Sequence, residues 1–394
     1  MADHRLLPPA RRSPLDLAVE LGPLLESQSE THDRTGRLSD AALGALVDAN
    51  LFGVLVPETL GGFEASPTEA LDTFAEVSRA DGAAGWVLTT CSFANALAGA
   101  FLSDDAVDEI FGPRMPIIAG GGAPRGRATP VDGGLRLAGH WGYGSGIHHA
   151  THLHNGGFII DEQGTVRDDL GHHIFVAPIE AATLDDEWDV IGLRGSGSVD
   201  YTIDGAFIPT GYEHPIRNPT IQRGGSLYQV GMFGLVCIAH TGFFIGIGRR
   251  ILDELAAIAV TAADRPGTPL GGDAFLERYG QGEALYRAAR ALVFERWREV
   301  EGELERSPDR PIGPRQLSSL QLAMYHMAWA STEVAEMAYK SGGGIALRDG
   351  PLQRAFRDCM AGRQHAQVSN AVVSACGRSL LSTFTTGTKQ GEAS

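Results

Sequence analysis

Gly133-Gly134-Leu135-Arg136-Leu137-Ala138-Gly139-His140-Trp141-Gly142-Tyr143-Gly144-Ser145-Gly146-Ile147-His148-His149-Ala150-Thr151-His152 is the stretch whose reading decides the fold. Asp132-Gly133-Gly134 before it has the chemistry of a tight hairpin, in which both central residues are expected at positive φ. Leu135, Leu137, Gly139 and Trp141 then alternate with Arg136, Ala138 and His140, the period of two that marks a half-buried strand. Gly142, Gly144 and Gly146 bracket Tyr143 and Ser145. A backbone without Cβ atoms there can lie against a bulky ligand, with the Ser145 hydroxyl free to hydrogen-bond it. An indole followed by a glycine-spaced hydroxyl suits a planar heteroaromatic ring with polar edges; the plainer alternative is a glycine-rich turn with a core tryptophan.

Composition narrows the classes. The 394 residues exceed one typical core, so two or three packed units are expected. A formal charge of −16 argues against nucleic-acid binding, where a basic stripe would be needed. Cys91, Cys237, Cys359 and Cys376 are far apart with no Cys-x-x-Cys, which fits a reduced, cytoplasmic thiol population rather than disulfides or zinc. No apolar run follows Arg5, Arg11 and Arg12, so no signal peptide is read. Gly224 to Gly248 carries no charge and could span a bilayer by length. Its Gln229, His240 and many glycines instead suggest a helix buried on all sides of a bundle.

Residues 1–114 read as helical: Ser39 caps Asp40 to Asn50, Ser66-Pro67-Thr68-Glu69 is a capping box for a helix to Arg79, and Ala83 to Leu88 opens another. Residues 115–222 read as short strands in an antiparallel β domain, with Ile117–Ala119, Leu135–Trp141, Gly157–Ile160, His173–Pro178 and Val199–Pro209 as its members. Gly120-Gly121-Gly122-Ala123-Pro124-Arg125-Gly126-Arg127 lacks the Gly-x-Gly-x-x-Gly spacing and a following helix, which rejects a Rossmann fingerprint. Residues 223–394 read as a four-helix bundle: Leu227–Val260, Gly282–Glu305, Gln316–Lys340 and Gln353–Leu381. Histidines 148, 149, 152, 154, 172 and 173 invite a metal, but 149 and 152 would face opposite sides of a strand, and no metal is expected.

Helices, a β domain and a bundle, in this order, resemble the acyl-CoA dehydrogenase fold, an α+β class. Ala84-Gly85-Trp86-Val87, Gly139-x-Trp141-x-x-Gly144-Ser145-Gly146, Gly192-Leu193-Arg194-Gly195-Ser196-Gly197-Ser198 and Arg354-x-x-Arg357-Asp358 with His365 resemble the two-component (group D) flavin-dependent monooxygenases of that superfamily. The resemblance covers nearly the whole chain. It implies reduced FMN or FAD delivered by a separate flavin reductase, O2 as co-substrate, a flavin C4a-hydroperoxide, hydroxylation of an aromatic (phenolic or polyketide-like) or amine substrate, and a homotetramer. Dehydrogenase relatives need a carboxylate base early in the first bundle helix or in the last loop. No carboxylate lies between Glu213 and Asp253, or between Asp358 and Glu392. An FAD-dependent acyl-CoA dehydrogenase and a non-catalytic flavin-binding or assembly module stay as the alternatives.

By the same resemblance, Ser145 meets the flavin edge and Trp141 packs on or beside the ring. Gly144 and Gly146 flank that contact; Ser196, Gly197 and Ser198 offer amides and hydroxyls. Arg194 pairs the phosphate, or else anchors Asp185 or Asp186. His365 is the proposed base, its ordinary pKa of roughly 6.5 being close to working pH. It is read as a helical residue on one stripe with Asp358, Ala361, Gly362, Ser369 and Val372, and Asp358 as a partner of Arg354. Trp86, Asn95 and His148 are candidates for touching substrate. Phenol-hydroxylating relatives often carry a second histidine about eight residues after the helix tryptophan; here Ala94 and Asn95 stand in its place.

Overall fold

Side-chain oxygens start every N-terminal helix. In the computed structural model, which describes residues 12–112, 114–185, 187–262 and 270–390, the Ser13 hydroxyl accepts the Asp16 N–H at the head of α1 (Pro14–Thr35). Ser39 does the same for α2 (Asp40–Asp48) and Ser66 for α3 (Pro67–Ala80), while Asp81 caps α4 (Gly82–Phe101) and Ser103 caps α5 (Asp104–Phe111). Helix α2 stops short of the expected Asn50 because that residue turns left-handed, with φ 56°.

Eight strands follow: β1 (Ile118–Ala119), β2 (Gly126–Val131), β3 (Gly134–Trp141), β4 (His152–Ile159), β5 (His172–Pro178), β6 (Ala182–Leu184), β7 (Tyr201–Pro209) and β8 (Glu213–Pro215). They form one sheet in the order β6-β7-β3-β2-β4-β5-β8, with β1 beside β4. Strand β3 alternates as its sequence says, burying Leu135, Leu137 and Trp141 and exposing Arg136, Ala138 and His140. In the hairpin before it only Gly133 takes a positive φ (76°). Gly134 is needed for closeness instead, since a Cβ there would lie 2.2 Å from the Ile208 carbonyl oxygen.

The sheet is mixed, not wholly antiparallel: β4 runs parallel to both β1 and β2. The segment after β3 causes this. Rather than closing a hairpin, residues 142–151 include a 3-10 turn (Ile147–His149) and bring β4 to the other edge of β2 in the direction of β2.

The remaining helices are α6 (Gly231–Ala262), α7 (Asp273–Arg306), α8 (Pro314–Leu347), α9 (Pro351–Gly362) and α10 (Asn370–Gln390). The charge-free segment passes through a 3-10 turn (Ser226–Val230) into α6, and together they are long and apolar enough to cross a membrane, but α6 packs along α3, α4, α8 and α9. The single helix expected over Gln353–Leu381 is two. Gly362 ends α9, the Arg363 guanidinium bonds the Val368 carbonyl, and His365 heads a 3-10 turn over Ala366–Val368.

Helix α4 sits between sheet and bundle, and Asn95 pins it there. Its amide donates to the carbonyls of Phe52 (3.1 Å) and Pro116 (2.7 Å) and accepts the Ile118 N–H (3.0 Å), all out of contact with water. Asn95→Ala strands three backbone groups and is expected to cost roughly 2–4 kcal/mol, a loss of several degrees in Tm by calorimetry. An unchanged Tm would contradict this role.

Candidate functional site

The site is built where α4 meets the end of β3. The Trp86 indole N–H donates to the Ser145 hydroxyl at 3.0 Å. Ser145 and Ser198 lie 2.7 Å apart, Ser198 and Ser196 2.7 Å, and the Ser196 hydroxyl donates to the Leu193 carbonyl at 2.6 Å. These bonds can run only one way. A carbonyl only accepts, so Ser196 gives its hydrogen to Leu193, Ser198 gives its hydrogen to Ser196, and Ser145 gives its hydrogen to Ser198. The Ser145 oxygen is left with one lone pair for Trp86 and one to spare. At this site Ser145 is an acceptor.

Two imidazoles also pack against Trp86. His365 is edge-on to the indole at 5.7 Å and His240, from α6, at 5.2 Å, while the two histidine rings stack 4.1 Å apart with 24° between planes. Phe243 packs edge-on against Trp86 and Phe93 lies 6.0 Å from both His240 and His154. Burial, and then the neighbouring His240, hold His365 well below the ordinary histidine range. Burial likewise pushes His240 down to about 4, its bond to the Val236 carbonyl opposing this. Both rings are neutral at physiological pH.

Several sequence candidates stand elsewhere. Trp141 is wholly buried, stacked on Tyr201 at 5.5 Å, with its N–H on the Gly156 carbonyl and its ring against Gly126 and Gly139; it supports the strand from within and offers no face to a ligand. Gly142, Gly144 and Gly146 are small because protein presses on them. A Cβ would meet the Asp200 carboxylate, Ile147 and Val87 respectively at 2.8–2.9 Å. Arg194 spends its fork on the carbonyls of Asp33 and Val190 and lies 3.5 Å from Asp189; it does not pair with Asp185, and Asp186 lies outside the described residues. The amides of Ser196 and Gly197 close a turn onto Leu193 and Arg194. Exposed His148 borders Gly197 on the outer side of that turn, and Asn95 is wholly engaged in bracing α4. Among the described residues no group of histidine, cysteine and carboxylate side chains could hold a metal.

Asp358 does not pair with Arg354. Its carboxylate accepts the Leu193 N–H at 2.6 Å and so holds the turn that terminates the serine chain. Sequence reasoning missed His240, whose one signal was being the lone imidazole in an uncharged helical span.

The family description "Acyl-CoA dehydrogenase, C-terminal domain" matches residues 238–370. Indole-3-acetate monooxygenase of Pseudomonas putida is 28% identical over 340 residues, covering 85% of each chain. The "Flavin-dependent monooxygenase, oxygenase subunit HsaA" of Rhodococcus jostii is 27% identical, covering 87% of this chain and 91% of that one. Along most of its length the chain is thus similar to proteins named as flavin-dependent monooxygenases, and part of its helical bundle matches the acyl-CoA dehydrogenase family. The chain also shares its fold with XiaF from a Streptomyces species, solved with FADH2 and glycerol (TM-score 0.85, 20% identity, 94% of this chain and 96% of that chain). On α6 and the α9–α10 link, elements where the resemblance puts a dehydrogenase's carboxylate, this chain carries imidazoles.

Burial raises Asp358 to about 7, its bond to the Leu193 amide opposing the shift. Its folded pKa therefore exceeds the unfolded value of roughly 3.9. Stability from the protonated acid is full below that value and is lost as pH rises through about 7. Asp358→Asn keeps an oxygen for Leu193 and is expected to flatten the fall of Tm between about pH 5 and 8; a slope like that of the parent protein would refute it.

Proposed function

We propose that this chain is a monooxygenase, the oxygenase component of a two-component system. It takes reduced FMN or FAD from a separate flavin reductase and uses O2 to hydroxylate an aromatic substrate, phenolic or polyketide-like, or an amine. The observation that carries this reading is that one indole, Trp86, touches both an acceptor hydroxyl and two neutral imidazoles. The names of the relatives and the flavin in the XiaF structure support it. Exposed Ile345 and Leu347 at the end of α8, and Leu381 on α10, support assembly into a homotetramer.

When bound, reduced flavin supplies the activated oxygen by reacting with O2. Ser145 suits its ring edge. A reduced flavin presents an N–H on its central ring where the oxidised form has a bare nitrogen, and the spare lone pair of Ser145 can only accept. Trp86, Phe93 and Phe243 keep water from the neighbouring space, and the imidazole pair handles the substrate's proton.

Three outcomes are expected. Chemically reduced flavin mixed with the protein and then with oxygen should give a transient absorbance distinct from reduced and oxidised flavin, and His365→Ala should slow hydroxylation of a phenol by about 100-fold or more. Absence of the transient would sink the oxygenase reading. Ser198→Ala frees the Ser145 hydrogen to point at a bare nitrogen, so the preference for reduced over oxidised flavin should narrow in equilibrium titrations. An unaltered ratio would show that the serine chain does not set it.

A further inference from the structure

The two stacked imidazoles are not equivalent. His240 Nδ1 lies 3.1 Å from the Val236 carbonyl oxygen. A carbonyl only accepts, so that nitrogen carries the hydrogen and Nε2 is a bare lone pair. His240 is 1% exposed, and its Nε2 is buried with no hydrogen-bond partner. His365 is the reverse: its Nδ1 accepts the Gln367 backbone N–H at 3.4 Å, so its neutral ring carries the hydrogen on Nε2. Backbone groups on two different elements thus fix opposite tautomers in rings 4.1 Å apart. A buried acceptor left without a donor costs stability unless a ligand supplies one.

We propose that His240, rather than His365, takes the proton of a phenolic substrate, and that His365 presents its Nε2–H as a donor beside it. This rests on the monooxygenase reading above. In the step, the substrate O–H bond breaks, an Nε2–H bond forms on His240, and the electron pair stays on the substrate oxygen, making the ring electron-rich. His240 becomes an imidazolium that keeps its bond to Val236. The rings facing it are His365 from the α9–α10 link and uncharged Trp86 and Phe93 from α4, with His154 of β4 beyond Phe93. The phenolate formed at hydrogen-bond distance supplies the opposite charge that stabilises the imidazolium against burial.

The test needs no flavin. p-Nitrophenol, whose phenolate is yellow, is titrated into the intact protein at a pH about one unit below the pKa of the free probe. The parent protein should convert bound probe to the phenolate; His365→Leu, which removes a donor but not the base, should bind it more weakly and still form a phenolate fraction. His240→Leu and His240→Gln should bind it un-ionised, with Tm near that of the parent for at least one of the two. With reduced flavin and O2, the His240 variants should keep the oxygen-dependent transient yet lose hydroxylated product by about 100-fold, the oxygen leaving as hydrogen peroxide. The proposal is overturned if the parent fails to ionise the probe, if both His240 variants still ionise it, or if His365→Leu alone abolishes ionisation. Failure of the transient in the parent protein would instead strike the monooxygenase reading itself.

Discussion

One hydrogen bond, from the Trp86 indole to the Ser145 hydroxyl, ties the helical half of the site to the sheet half. Its direction is inherited from a carbonyl three serines away, because each hydroxyl has one hydrogen to give and Leu193 must receive the last. The Leu193 turn is in turn held by Asp358 from α9. A bond in the β region, a cap on a loop and a helix of the bundle therefore share one polarity, and a disturbance at any of them reaches Ser145. This is how a buried polar chain specifies a site: every member is satisfied, so no member can rotate alone.

Around the same indole the packing is aromatic. Phe243 and the two imidazoles meet Trp86 edge-on and Phe93 lies against His240; the edge-on contacts place the positive edge of one ring on the negative face of another. Neutral histidines are the polar residues that such surroundings tolerate, and burial keeps them neutral. A carboxylate there would carry an unpaired charge in an apolar wall. The chemistry open to the site follows from that difference: proton transfer with an acidic O–H or N–H, not removal of a weakly acidic C–H.

Much of this was legible in the chain. The alternation from Leu135 to Trp141, the serine caps and the uncharged span of α6 each obey a local rule, and the structure follows them. Trp86, Ser145, Ser196 and Ser198 were named from motifs and do meet. What failed was long-range. Trp141 and the glycines after it looked ligand-facing, yet Tyr201, Asp200 and Val87 occupy the space they leave. The break at His365 carried no proline, only Gly362, which read as a small residue on a continuous stripe. The meeting of His240 with His365 is a tertiary event between α6 and a link more than a hundred positions later, for which neither segment holds a local signal.

The four cysteines, read at first as a sign of reduced surroundings, are all free and buried. Burial raises Cys91, which touches the backbone carbonyl of Ser145, and Cys359 to about 12 each. Hydrogen peroxide attacks thiolates, and at neutral pH these sulfurs stay protonated and out of its reach. A catalyst that handles reduced flavin in air meets stray oxidant at every unproductive cycle, and this one has placed its most corrodible atoms where such accidents leave no mark.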